Sequence, residues 1–314
     1  MNRSLLAAAV LAATTAAGTA RAEDAAQEAG ALAAKNFTTT AILASDYRFR
    51  GISNSDGPAA QVSFDWAYNG FNLGAFGSNT VFSDNNLEID LYGGYSWSWL
   101  GVNWRAQGLY YMFPGEGGST SKGLDPPGSD PTVNGGIPLP YAFPGGKREG
   151  QIPDIGSNYI EVSLGVSKTF ETAFSPTVGL TYNYSPDFFG DDGAAHAIQL
   201  SLSGSGPWGL IPYANVGFQD VEGDEYSEYF LTPDGYDYWW YSAGLRKAVA
   251  GFTVDLGFVN TDNGTACGGT GQNTCALNGG FETFYNDFDY VTAGGTSYRD
   301  LTQGSWVLQV SRTF

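Results

Sequence analysis

The stretch Gln303-Gly304-Ser305-Trp306-Val307-Leu308-Gln309-Val310-Ser311-Arg312-Thr313-Phe314 decides the fold. Trp306, Leu308, Val310 and Phe314 share one parity, and Val307, Gln309, Ser311 and Thr313 the other. Successive side chains of a strand point to opposite faces, so this period of two describes a strand with one aromatic-aliphatic face and one more polar face. The segment carries an aromatic ring at Phe314.

The same template marks strands at about 37–50, 59–68, 71–82, 87–99, 101–113, 157–170, 174–185, 194–204, 209–219, 237–248 and 251–261. With 303–314 the count is twelve, an even number. Val62, Phe64, Trp66 and Tyr68 oppose Gln61, Ser63 and Asp65, and Ile160, Val162, Leu164 and Val166 oppose Glu161, Ser163 and Ser167. The connections alternate in length. Asn69-Gly70, Leu100-Gly101, Glu171 to Ala173, Ser205 to Trp208 and Ala248 to Gly251 are short, whereas the intervening set holds every long insertion, including 114–156 and 262–302. Membrane barrels have short periplasmic turns and longer external loops, and a soluble β-sandwich has no reason to sort its connections this way.

Composition agrees. Aromatics make up 15% of residues, charged residues only 15%, and there are 44 glycines; soluble domains carry roughly 25% charged residues. At the amino terminus Arg3 precedes an apolar run from Leu5 to Ala17 and an Ala20-Arg21-Ala22 cleavage pattern, so residues 1–22 read as a signal peptide and 23–36 as a short periplasmic segment before a barrel over 37–314. The net charge is −18, two units lower once Arg3 and Arg21 leave. That balance disfavours nucleic acid, which needs a basic surface. Cys267 and Cys275, in a Gly/Asn/Thr-rich stretch of a secreted chain, are expected to form a disulfide.

Asp46-Tyr47-Arg48-Phe49-Arg50-Gly51-Ile52-Ser53, then Ser55-Asp56-Gly57-Pro58-Ala59 and Glu88-Ile89-Asp90-Leu91-Tyr92-Gly93-Gly94-Tyr95, resemble the TorF or Gcw_chp family of proteobacterial outer-membrane proteins. The resemblance runs from about Phe37 through Phe113, resumes at Asn158-Tyr159-Ile160-Glu161 and reaches the carboxy terminus, whose final strand is similar to the closing strand of outer-membrane barrels. It implies an outer-membrane barrel of porin type in a Gram-negative bacterium, assembled by the barrel-assembly machinery, with no cofactor.

With aromatic and aliphatic positions facing lipid, the inward set includes Asp46, Arg48, Arg50, Asp65, Glu88, Asp90, Arg105, Gln107, Glu161, Lys168, Asn183, Gln199, Asn215, Arg246, Asp255 and Gln309. Arg48 and Arg50 are expected near the outer end of strand one, facing Glu88, Asp90 and Glu161 across the lumen. Charges of both signs around a pore sort ions and polar solutes. Arg48, Arg50, Arg105, Glu88, Asp90, Glu161, Asp65 and Asp255 are therefore the pore-lining candidates, and the expected function is passive diffusion of small hydrophilic solutes. The alternatives are a plugged barrel serving as surface anchor or adhesin, and an outer-membrane lipid hydrolase. Expected partners are outer-membrane lipids, lipopolysaccharide and the solutes.

Three other features are weaker. The loop at 114–156 matches by position the loop that narrows general porins. The acidic runs at 220–237 and 282–289 fit no Ca²⁺-loop pattern, so no metal site is assigned. His196, the single histidine, shares parity with Ile198, Leu200 and Leu202 and should face lipid near the outer rim; no Gly-x-Ser-x-Gly elbow accompanies it.

Overall fold

A computed structural model describes residues 30–82, 85–114, 158–189, 193–222, 236–262 and 303–314. Twelve strands close into one antiparallel barrel: β1 (Phe37–Ala44), β4 (Ala59–Tyr68), β5 (Phe71–Phe82), β6 (Asn85–Trp99), β7 (Val102–Met112), β8 (Tyr159–Thr169), β9 (Thr177–Ser185), β10 (Ala195–Ser203), β11 (Leu210–Val221), β12 (Tyr236–Val249), β13 (Phe252–Thr261) and β14 (Ser305–Thr313). Two short strands, β2 (Arg48–Phe49) and β3 (Ile52–Ser53), pair only with each other. Barrel strands pair with their neighbours in the chain, and β14 closes the ring on β1 through Leu43↔Val310 and Thr40↔Thr313, whose hydroxyls lie 3.0 Å apart. No barrel strand is left with an unpaired edge.

Alternation sorts the side chains into two environments. Leu43, Phe64, Leu91, Val162, Leu200, Leu256 and Leu308 stand exposed on the outside, while Gln61, Ser78, Glu88, Glu161, Asn183, Gln219 and Asp255 are buried within. An apolar exterior around a polar interior inverts the layout of a soluble domain. It is the construction of a bacterial outer-membrane barrel, with backbone polar groups paired between neighbouring strands and the apolar face given to lipid.

The rims follow from turn chemistry and amphipathic rings. Asn69-Gly70, Leu100-Gly101 and Ala250-Gly251 each have positive φ at both residues, 49° and 89°, 53° and 73°, and 52° and 81°, the geometry of the tight turn whose twist suits a hairpin. These turns mark the periplasmic end. Beside one of them Trp97 stacks on Trp104, centroids 6.2 Å apart and planes 11° from parallel, at the level where headgroups favour indoles.

Strand one is shorter than its alternation suggests. It leaves the sheet after Ala44, and Arg48 and Arg50 belong to the β2–β3 hairpin, because Asp46 and Tyr47 redirect the backbone into the barrel. Lys168, expected inside, is exposed on the outer face, since it shares the parity of Ile160, Val162 and Leu164. The signal peptide, the 114–156 loop beyond Pro114, Cys267 with Cys275 and most of the acidic loops lie outside the described residues.

The parity assignment predicts opposite outcomes at two adjacent residues midway along β10. Leu200→Arg, on the lipid side, should cost about 2–4 kcal/mol in urea unfolding from lipid vesicles, whereas Gln199→Arg, on the lumen side, should be close to neutral.

Candidate functional site: a hairpin folded into a polar lumen

The hairpin is built by its own side chains. Asp46 accepts hydrogen bonds from the hydroxyls of Ser53 and Ser55 and pairs with the guanidinium of Arg48, so one carboxylate ties both arms together. The Tyr47 amide donates to Ser55 Oγ at 2.8 Å, and the Asn54 amide to the Tyr47 carbonyl at 2.7 Å. At the tip, Arg50 and Gly51 have φ of 47° and 91°, the same two-residue turn used at the periplasmic rim. Gly51 is required twice over: beyond its φ, a Cβ there would lie 2.5 Å from Thr261 Cγ2 and 2.8 Å from Trp240 Cβ.

The tip reaches across the lumen. Tyr47 packs edge-on against Phe76 of β5 and donates its hydroxyl to Glu88 of β6 at 2.7 Å. Phe49 packs edge-on against Tyr111 of β7. Arg50 donates to Glu161 of β8 at 2.8 and 2.9 Å and to Gln219 of β11 at 3.1 Å. Ile52 joins a buried cluster with Ala197, Tyr238 and Trp240 from β10 and β12. Arg48 completes the circuit on β14, donating to Ser305 Oγ and the Gln303 carbonyl at 3.0 Å each. Walls from β5 round to β14 are thus held by one short excursion of chain.

The central contact is the Arg50–Glu161 ion pair, with side chains 6% and 1% exposed. Burial by itself would lower the Arg50 pKa; Glu161, aided by Tyr111, Tyr159 and Tyr238, outweighs it and holds the guanidinium above its ordinary value. The Tyr111 hydroxyl donates to Glu161 at 3.1 Å, satisfying a further lone pair. Tyr47, in the hairpin, is raised by burial and by the Glu88 carboxylate, so it remains a donor. Glu88 and Asp90 sit two residues apart on the inner face of β6, 1% and 4% exposed, and among the described residues Asp90 Oδ1 has no hydrogen-bond partner.

The periplasmic half of the lumen is arranged differently. On one side Asp65 accepts from the hydroxyls of Tyr92 and Ser63, with Arg105 within electrostatic range. On another, Arg246 donates through Nε and Nη2 to Asp255 at 2.9 and 2.8 Å, Tyr213 donates to the same carboxylate, and the guanidinium lies 5.3 Å from the Tyr213 ring centre. Gln199, Asn215 and Gln309 line the wall between, partly accessible. The eight candidate residues therefore fall into two levels: Arg48, Arg50, Glu88, Asp90 and Glu161 around the hairpin, and Asp65, Arg105 and Asp255 below it. Among the described residues no group of three or more His, Cys, Asp or Glu side chains could hold a metal ion.

Several residues that hold the hairpin are aromatic, and they face the lumen instead of lipid. Tyr111, Tyr159, Tyr238 and Trp240 are buried inside, and Gln219 is wholly buried. The adjacent pairs Tyr110-Tyr111 and Trp239-Trp240 carried the signal, because neighbours on a strand cannot both face lipid. His196 stands on the outer face near the external rim, its Nδ1 2.6 Å from the Tyr182 hydroxyl and its Nε2 3.8 Å from Glu222.

Residues 28–124 match the model of Gcw_chp, a bacterial protein family of unknown function. The hairpin lies inside that stretch. No curated protein matches the chain. Among solved structures, the KdgM porin is 8% identical with a TM-score of 0.44, the alignment covering 88% of this chain and 99% of that one. The NanC porin is 10% identical at 0.45, covering 88% and 98%. OccAB3 of Acinetobacter baumannii is 10% identical at 0.37, covering 87% and 59%. The barrel itself stands on the pairing of its strands.

Removing Arg50 strands Glu161 in a buried site, a change that costs about 3–5 kcal/mol in such pairs. Arg50→Ala should therefore speed hydrogen exchange at the Asn54 amide by on the order of a hundredfold or more, leaving the β10 and β11 amides unchanged. Adding Glu161→Ala should restore part of the protection.

Proposed function

We propose that the protein is a narrow outer-membrane channel for small hydrophilic solutes, constricted at its outer mouth by the β2–β3 hairpin. The observation that carries this reading is that the hairpin has no ladder to any barrel strand. It is held by side chains alone, so it can move without breaking the closure of the barrel. Below it, the polar wall with Arg246 beside Asp255 and Arg105 near Asp65 presents both signs of charge to the lumen, which suits polar solutes and ions better than apolar ones. Arg50, Glu88, Asp90 and Glu161 are then the outer constriction, and Asp65, Arg105 and Asp255 an inner one.

A closed barrel serving as surface anchor is the second reading, favoured by the near-complete burial of Arg50, Glu161 and Gln219. The hydrolase reading has less behind it, since among the described residues the His196 ring is engaged by a tyrosine hydroxyl and a carboxylate and not by a serine. Barrel-assembly machinery during biogenesis and lipopolysaccharide at the external rim complete the proposed setting.

Planar-bilayer recordings of the refolded mature chain test the channel. Wild type should give small discrete steps, and replacing 46–56 by a Gly-Ser linker should enlarge them severalfold. Neutralising Glu88, Asp90 and Glu161 together should shift ion selectivity toward anions. Silence from both wild type and the hairpin-less barrel, with heat-modifiable migration showing that each is folded, would rule out the channel in favour of the anchor.

A further inference from the structure

Outward-facing cations among the described strands gather at the periplasmic end, where Lys168, Lys247 and Arg312 are all exposed. Arg312 is the most confined. Parity with Trp306, Leu308 and Val310 turns it toward lipid, and its guanidinium carbon lies 5.3 Å from the ring centre of Phe252 and 5.0 Å from that of Phe314. Both rings are exposed, by 40% and 68%. Among the described residues Arg312 makes no hydrogen bond and no ion pair. A guanidinium has five N–H donors in a fixed fork, and here none is used among the described residues while two apolar rings lie beside it.

We propose that Arg312, between Phe252 and Phe314, binds the phosphate of an anionic phospholipid in the periplasmic leaflet. The location supplies the partner: the residue lies at the headgroup level, beside the last turns of the barrel, where phosphates are the abundant acceptors. The fork matches two phosphate oxygens, and the rings flank it where the glycerol backbone meets the acyl chains. Val249 pairs with Phe252 on the adjoining strand, and Lys247, exposed two residues further along β12, adds a second positive charge. The external rim is the opposite case. Asp220, Glu222 and Asp237 are exposed there, and they would repel the same headgroup.

This site is independent of whether the lumen conducts. Native mass spectrometry of the refolded protein in neutral detergent, titrated with phosphatidylglycerol, phosphatidylcholine or inorganic phosphate, tests it. Wild type should take up its first phosphatidylglycerol about fivefold more tightly than Arg312→Gln, the gain expected of one basic residue at a charged headgroup. Arg312→Lys should fall between them. Phe252→Ala, which keeps the charge and lies away from the carboxy terminus, should also weaken uptake and serves if Arg312→Gln does not refold. Equal phosphatidylglycerol affinity in wild type and either Arg312→Gln or Phe252→Ala would overturn the proposal. So would equal uptake of phosphatidylcholine, or displacement of the lipid by millimolar inorganic phosphate, which would reduce the site to an unspecific anion contact.

Discussion

A strand placed in hydrocarbon has nowhere to send its backbone N–H and C=O groups except to another strand, and this constraint organises the molecule. The ring must close, so β14 finds β1 and no edge remains. Closure then gives alternation its meaning. One face of every strand must tolerate lipid, and the other is free to hold Glu88, Glu161, Asn183 and Gln219. The low charge and high aromatic content of the strands follow from dividing each one in this way.

Closure also creates an interior that has to be filled or wetted, and the two halves do so differently. In the outer half a short excursion after Ala44 brings in Tyr47, Phe49, Arg50 and Ile52, and each meets a partner on a different part of the wall. The ion pair of Arg50 with Glu161 is the contact least able to be broken cheaply, because its loss leaves a charge in a dry site. The periplasmic half instead keeps its charges in clusters flattened on the wall, Arg246 with Asp255 and Tyr213, and Asp65 with Tyr92. A hairpin held by side chains over a polar wall is the physical basis of the proposed channel.

Most of the barrel was legible because a period of two, repeated between short turns, leaves few other solutions. Asn69-Gly70 and Leu100-Gly101 turn where expected, Ala250-Gly251 turns within the expected Ala248 to Gly251 connection, and β4, β5 and β13 fall within a residue of the expected limits. The exit of strand one was not legible, because Asp46, Arg48 and Arg50 continue to alternate with Tyr47 and Phe49 inside the hairpin. Its signal was Gly51, a turn residue directly after the expected strand, whose tight turn begins at Arg50 inside it. Lys168 shows parity overruling polarity: a lysine at a strand end can face lipid while its ammonium sits 5.4 Å from the Phe170 ring centre at the rim. The inward aromatics were legible in part, since adjacent rings such as Tyr110-Tyr111 and Trp239-Trp240 cannot both face lipid. Which ring of each pair turns inward depends on the hairpin it grips, a contact that alternation alone does not encode.

Photocrosslinking in intact cells tests the inward position of the hairpin most directly. With p-benzoylphenylalanine in place of Phe49, whose ring centre lies 5.8 Å from that of Tyr111, irradiation should produce an intramolecular product that peptide mapping places on β7 around Tyr111. Crosslinks to lipopolysaccharide or to other proteins, with none to β7 in the folded barrel, would put the first external loop outside the lumen and contradict the account.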